Sequence, residues 1–478
     1  MKRTIAVIIS FILILSACKT TENDVNDVNI RLSDDKITVN GNAISNDASS
    51  DVYSANDIIC YLAGNGFSYG EGTADDEHEQ SKADEHTVVH ITKPGKYILS
   101  GTLSKGQIAV DLGEDSKDDE NAVVTLVFNE VDITCTVAPA IIFYNVYECG
   151  EKKESKASKD VDTSKAGANV IIAEGTTNNV NGSYVAKIYE PNSVELNESK
   201  TEVEDADKLH KYDGAFYSKM SMNISGGKSN TGILNINAKN EGIGSEMHLT
   251  INGGNINITS GNDGINTNED NVSVTTVNGG TLNIRCDGST GEGDGIDSNG
   301  WLVINGGTVI SQACATSGDS GIDSDKGIYI NGGKVVATGN MLDRISGGEQ
   351  NFAVFKFSAN KNGNSTYKLI NSNGKVIGDY FLNNEFTYLI ISDDELTEGN
   401  YSFWQNELQL SGNKVNIDQN GIPNGERPQR PNGNSPQNPS GDVPAPPNGF
   451  EDNYNAAVSK TFTITKGENQ FTNVSLSN

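Results

Sequence analysis

The chain runs to 478 residues and carries 35 Lys and Arg against 64 Asp and Glu, a formal net charge of −29. That balance disfavours a polyphosphate partner held on a basic surface and excludes nucleic acid. Only 35% of the residues are hydrophobic while 51 are glycine, the composition of a turn-rich β protein with length for roughly two to four domains.

At the N-terminus, Lys2 and Arg3 precede an apolar run from Ile5 to Leu15. The run is too short for a stable membrane span and suits a secretory signal peptide. It closes on Leu15, Ser16, Ala17 and Cys18, which resembles the lipobox of bacterial lipoproteins. The resemblance implies a signal peptide over 1–18, lipidation of Cys18, and an extracellular protein anchored to a bacterial cell membrane. Cys60, Cys135, Cys149, Cys286 and Cys314 remain. Their odd number argues against a full disulfide framework, and with no Cys-x-x-Cys pair a zinc site has no basis.

Residues 19–86 read as a polar tether and N-terminal segment, acidic and rich in Asn, Asp and Ser as far as about residue 56. From Thr87 the pattern predicts short strands: 87–91, 97–103, 108–112, 122–128 and 131–135, with Lys93-Pro94-Gly95 as a turn. Polar stretches at 150–166 and 195–208 interrupt them as expected surface loops. A β segment over 346–478 is broken by a Pro-, Gly- and Asn-rich loop at 415–452.

The most regular region lies between 213 and 340. Gly-Gly pairs begin at 226, 253, 279, 306 and 332, spacings of 27, 26, 27 and 26, which mark an internal repeat. Four and two residues before each pair stand Met222/Ile224, Leu249/Ile251, Thr275/Val277, Leu302/Ile304 and Ile328/Ile330. Residues two apart share one face of a strand, and these face inward. Ile256/Ile258, Leu282/Ile284, Val309/Ser311 and Val335/Ala337 follow the pairs in the same way, and Ile243, Ile265, Ile296 and Ile322 supply a third apolar point. Three short strands per repeat, with Gly and Asn at the corners, describe the coil of a parallel β-helix over 87–345. A β-propeller needs blades of about 40 residues or more.

The repeated Asp-Gly-Ile and Ile-Asn-Gly-Gly text, with Thr92-Lys93-Pro94-Gly95-Lys96-Tyr97 upstream, resembles the carbohydrate-binding domain family of bacterial surface β-helix proteins. That resemblance implies an all-β, right-handed parallel β-helix, calcium binding, and binding of pectic or cellulosic polysaccharide without established catalytic residues. The insertions at 150–166 and 195–208 depart from the family pattern.

Equivalent positions of stacked coils lie about 4.8 Å apart, so columns matter more than sequence neighbours. One column reads Asp213, Glu241, Asp263, Asp294 and Ser320; a second reads Asn266, Asp297 and Asp323, with Asp325 beyond. Stacked carboxylates repel unless a cation lies between them, and an oxygen-only set selects Ca²⁺. Asp263, Asn266, Asp294, Asp297, Asp323 and Asp325 are the candidate ligands. For sugar, Trp301 and Tyr329 sit at outward positions on adjacent coils and His248 extends the same strip, a platform for a pyranose face. These residues make a non-catalytic binder of polysaccharide, acidic pectic glycan first, the leading expectation.

Two alternatives come from other classes. A calcium-dependent polysaccharide lyase needs a base to take the α-proton, and Arg285 is the one Arg between 213 and 340, with Lys219, Lys239, Lys326 and Lys334 as further bases. A surface adhesin would use the stacked faces for a protein partner. His86 and His90 have zincin spacing but lack its Glu, since Thr87 follows His86.

Overall fold

The computed structural model describes residues 27–415 and 458–477. The signal segment with Cys18, and the 415–452 loop beyond its first residue, lie outside the described residues. The protein is all-β with mixed sheets; among the described residues the one α-helix is Gln80–Asp84.

Three stacks of parallel strands carry the repeat. In the first, Met222–Ser225, Leu249–Ile251, Val274–Val277, Trp301–Ile304 and Gly327–Ile330 succeed one another in register. In the second the succession is Ile233–Ala238, Asn255–Ser260, Thr281–Cys286, Thr308–Gln312 and Lys334–Gly339. The third runs Thr87–Ile91, Gly106–Asp111, Ile141–Asn145, Gly214–Ser218, Glu241–Ser245, Ile265–Thr267 and Ile296–Ser298. Each repeat thus gives one strand to each stack, except that the last has no named strand in the third.

The register follows from burial. Ile224, Ile251, Val277, Ile304 and Ile330 are partners in one column and all are buried. Each such side chain removed from water contributes about 1.5–3 kcal/mol. A slip of one residue would turn the column to solvent. Between the first and second stacks the chain turns at the Gly-Gly pair. Gly280 has φ +84°, and a Cβ there would stand 2.5 Å from the Gly254 carbonyl oxygen. Both the backbone angle and the close stacking of corners therefore demand glycine.

The expected tether differs from the structure. Val28–Leu32 pairs in parallel with Gly95–Leu103, and Val52–Ala55 pairs with Thr87–Ile91. Ile30 and Leu32 are fully buried. Their alternation is a strand pattern hidden in a polar composition, and it covers an end of the stacks that would otherwise expose unpaired backbone.

The opposite end is covered by strands that lie between Phe352 and Lys414 and between Phe462 and Leu476. Phe386–Ser392 pairs antiparallel with Lys334–Gly339, and a separate aromatic core gathers Phe355, Phe403, Phe462 and Phe471.

Candidate functional site

The acidic columns occupy the third stack and the turns that enter it. Asn266 pairs with Asp297 across the strands Ile265–Thr267 and Ile296–Ser298, and the backbone N–H of Asp323 donates to the Ile296 carbonyl. Strand stacking in register therefore brings side chains about 26–31 residues apart in sequence into one file. Carboxylate oxygens of Asp294, Asp297 and Asp323 all lie within 4.8 Å of one another. Asp294 also accepts the Ser320 N–H at 2.6 Å, and Asp263 accepts the Asp294 N–H at 2.7 Å. These bonds fix the side chains while leaving further oxygen lone pairs directed at the file.

Asp325 is exposed and stands outside that three-carboxylate cluster. Asp263 and Asn266 belong to the preceding repeat, whose strand Ile265–Thr267 pairs with Glu241–Ser245. The Asn266 amide donates to Glu241 Oε1 at 2.9 Å, whereas Glu241 Oε2 and Asn266 Oδ1 are buried with no hydrogen-bond partner among the described residues. An unpaired buried carboxylate oxygen is costly. Burial, then the Asp213 charge, holds the Glu241 carboxyl well above the ordinary carboxylate range. Asp263 is raised by burial and by Glu241, and Asp294 by burial, Asp263 and Asp323. Oxygen donors alone, converging and mutually repulsive, fit a hard divalent cation. Glu241 was visible in the same sequence column, directly before Gly242 as Asp263 is before Gly264, but its own coil puts Gly244 where the next has Asn266. That irregularity hid it as a ligand.

The aromatic strip is rearranged. Trp301 and Tyr329 are half-buried on adjacent strands, Tyr329 lying opposite Val303 rather than Trp301. His248 corrects the expectation of an outward strip, being 2% exposed. The backbone at Gly150 lies against its ring, and a Cβ there would come within 2.5 Å of Nε2. The cover comes from the 150–166 insertion, whose start carries the chain over this face. Further along, the Lys159 ammonium stands 5.2 Å from the centre of the Tyr329 ring. Nothing in the repeat pattern could locate this segment, because an insertion has no counterpart on the neighbouring coil.

Arg285 lies at an outward position on Thr281–Cys286, and its Nε donates to Asn384 Oδ1 of the C-terminal segment at 3.1 Å. It is a docking contact between the repeats and their cover.

The family of carbohydrate-binding domain-containing proteins matches residues 85–377, more than half of the chain. The chain belongs to this family. In this carbohydrate-binding domain protein the matched residues contain the three stacks, both acidic columns and the insertion. No curated protein matches the chain. Among solved structures, the polysaccharide lyase-like protein of C. thermocellum, in a gadolinium derivative, is similar at 21% identity over 64% of this chain and 92% of that one, with a TM-score of 0.34.

Proposed function

We propose that the protein is a non-catalytic, calcium-dependent polysaccharide binder, displayed as a lipoprotein on a bacterial cell surface, with its repeats coiled as a right-handed parallel β-helix. Family membership supports polysaccharide binding. The 26- to 27-residue period and the in-register stacks support the coil, and Leu15-Ser16-Ala17-Cys18 supports the anchor.

The observation that carries the calcium reading is the meeting of Asp294, Asp297 and Asp323. Asp294, Asp297 and Asp323 would hold one ion, with Glu241, Asp263 and Asn266 lining the next coil. A bound Ca²⁺ would cancel their repulsion and present positive charge at the surface of a protein of net charge −29. A uronate carboxylate completing the coordination would explain how an acidic protein holds an acidic glycan. Polygalacturonate is therefore the first ligand to test and cellulosic glucan the second. The engagement of Arg285 with Asn384 favours the binder over the lyase.

Affinity electrophoresis in gels containing polygalacturonate, with Ca²⁺ or with EDTA, is the test. Retardation with Ca²⁺ and free migration with EDTA is the expected result. Migration unaffected by the polysaccharide in both gels would remove the pectic reading. Sustained formation of unsaturated uronate, lost in Arg285→Ala, would replace the binder with a lyase.

A further inference from the structure

The insertion that covers the aromatic strip also builds a groove. Its far end is pinned to the first stack: Thr163 Oγ1 donates to Asn223 Oδ1 at 2.8 Å and lies 2.7 Å from Thr250 Oγ1, and Asn223 Nδ2 donates to the Thr163 carbonyl at 2.7 Å. Its near end is held where Lys159 packs over Tyr329 and Glu154 pairs with Lys326 at 3.5 Å. Asn223, Thr250, Thr276, Val303 and Tyr329 are successive partners along the stack, so the segment between the anchors crosses several coils. Between it and the sheet lies a cavity of about 480 Å³.

The floor of that cavity is a ladder of amides. Asn278 donates to Asn252 at 2.9 Å, Asn305 to Asn278 at 2.9 Å and Asn331 to Asn305 at 2.8 Å. Each rung within the ladder uses one amide N–H and one oxygen lone pair, leaving one of each for a ligand. Donor and acceptor therefore recur together at the coil spacing of about 4.8 Å. A hydroxyl both donates and accepts, and a pyranose unit in an extended chain advances by a comparable distance. Val303 and Val161 add apolar surface beside the polar floor, and the Tyr329 ring packs against Lys159 of the wall. The charge of the lining decides the class of sugar. Its one cation, Lys159, is paired with Asp160 at 2.7 Å, and Asp162 adds a second carboxylate. A uronate would meet net negative charge here without a cluster able to hold a bridging ion.

We infer that this groove is a second glycan site, separate from the acidic columns, which binds an uncharged polysaccharide chain lying along the stacking direction, with residues 159–163 as its outer wall. The inference rests on the carbohydrate-binding reading and adds a place and a ligand class to it. Binding here uses no calcium, so it persists under chelation at any temperature below the chelated protein's melting point.

The test is calorimetric titration of the full chain with uncharged gluco-, xylo- and manno-hexasaccharides and with hexagalacturonate, each with Ca²⁺ and with EDTA. At least one uncharged hexasaccharide should bind equally in both buffers. Asn278→Ala, which removes one donor and one acceptor from an exposed rung, should weaken it on the order of tenfold. Lys159→Ala should weaken it several-fold by loosening the wall, and melting curves should report both variants folded. Uncharged binding that is unchanged in both variants overturns the groove while leaving the protein a glycan binder. Binding of hexagalacturonate alone overturns the inference but not the proposed function, whereas binding of neither class in either buffer removes both.

Discussion

Two files of polar side chains run along the same stacked repeats, and they solve the problem of stacking like on like in opposite ways. In the amide ladder Asn278 and Asn305 both donate and accept, with Asn252 accepting at one end and Asn331 donating at the other, as amide ladders do wherever identical strands stack in register. In the carboxylate file Glu241, Asp263, Asp294, Asp297 and Asp323 can only accept when ionised, and backbone N–H groups meet part of that demand. The ladder pairs its own members, whereas burial and neighbouring charge hold Glu241, Asp263 and Asp294 of the file toward their protonated forms. In-register stacking of repeats thus multiplies whatever chemistry one repeat carries, and the side chain decides whether the multiplication satisfies or strains.

The widest break in this comparison removes the register on which both files depend. Ile304 lies between Val277 and Ile330 in the fully buried column. Ile304→Asp should place an unpaired charge there and cost on the order of 5 kcal/mol. A thermal melt is the measurement, and a variant that melts like the wild type would mean that this column is not the core.

Next in size is the cation itself. EDTA should lower the melting temperature and excess Ca²⁺ restore it, by about 2.7 kcal/mol at a hundredfold excess over Kd. The double substitution Asp294→Asn with Asp323→Asn makes the carboxylate file resemble the ladder. It should melt above the wild type in EDTA and ignore Ca²⁺. A double variant that still gains stability from Ca²⁺ would place the ion elsewhere.

Proton binding separates the files by a smaller margin. Burial with the Asp213 charge raises Glu241, and burial with the Glu241 charge raises Asp263. A carboxyl held above its unfolded value binds its proton more tightly when folded. Its favourable contribution is complete below the unfolded pKa of about 4 and is lost as pH rises through the raised folded value. Glu241→Gln keeps the Oε1 that accepts from Asn266 and removes the charge. In EDTA it should match the wild type near pH 4 and exceed it by about 2 kcal/mol at pH 7, the scale of an unsatisfied buried group. A stability gap that stays flat across that range would show Glu241 already compensated.

The repeat made the files legible before any coordinates. Counting from the Gly-Gly pairs placed Ile251, Ile304 and Ile330 in one column, and counting from Gly264, Gly295 and Gly321 placed Asn266, Asp297 and Asp323 in another, because stacking converts equal offsets into neighbours. What lay outside the period was not legible. Ile30 and Leu32 belong to no repeat and were masked by surrounding Asn and Asp, so a covering strand read as a tether. The Lys159–Thr163 wall has no equivalent on an adjacent coil, and only coordinates show that it bends over Tyr329 and leaves His248 buried. The amide ladder was in plain view, one residue before four of the five Gly-Gly pairs, but Asn there is equally a turn residue, and turn chemistry alone does not reveal which way the amide points.

The smallest expected effect asks whether position or residue type makes a cation site. Asn305→Asp puts one carboxylate into the ladder. It can still accept from Asn331, but it cannot donate to Asn278, so one hydrogen bond is exchanged for an oxygen–oxygen contact. Asn305 is exposed, water relieves most of that contact, and the cost should be about 1 kcal/mol or less. A lone carboxylate flanked by amides lacks the convergent oxygens that Asp294, Asp297 and Asp323 provide, so the loss should be equal in EDTA and in Ca²⁺. Melting curves of this variant in both buffers measure the difference. A Ca²⁺-dependent recovery would mean that one charge on a stacked face suffices to recruit the ion, and the distinction between the two files would then rest on composition alone rather than on the geometry that brings three carboxylates together.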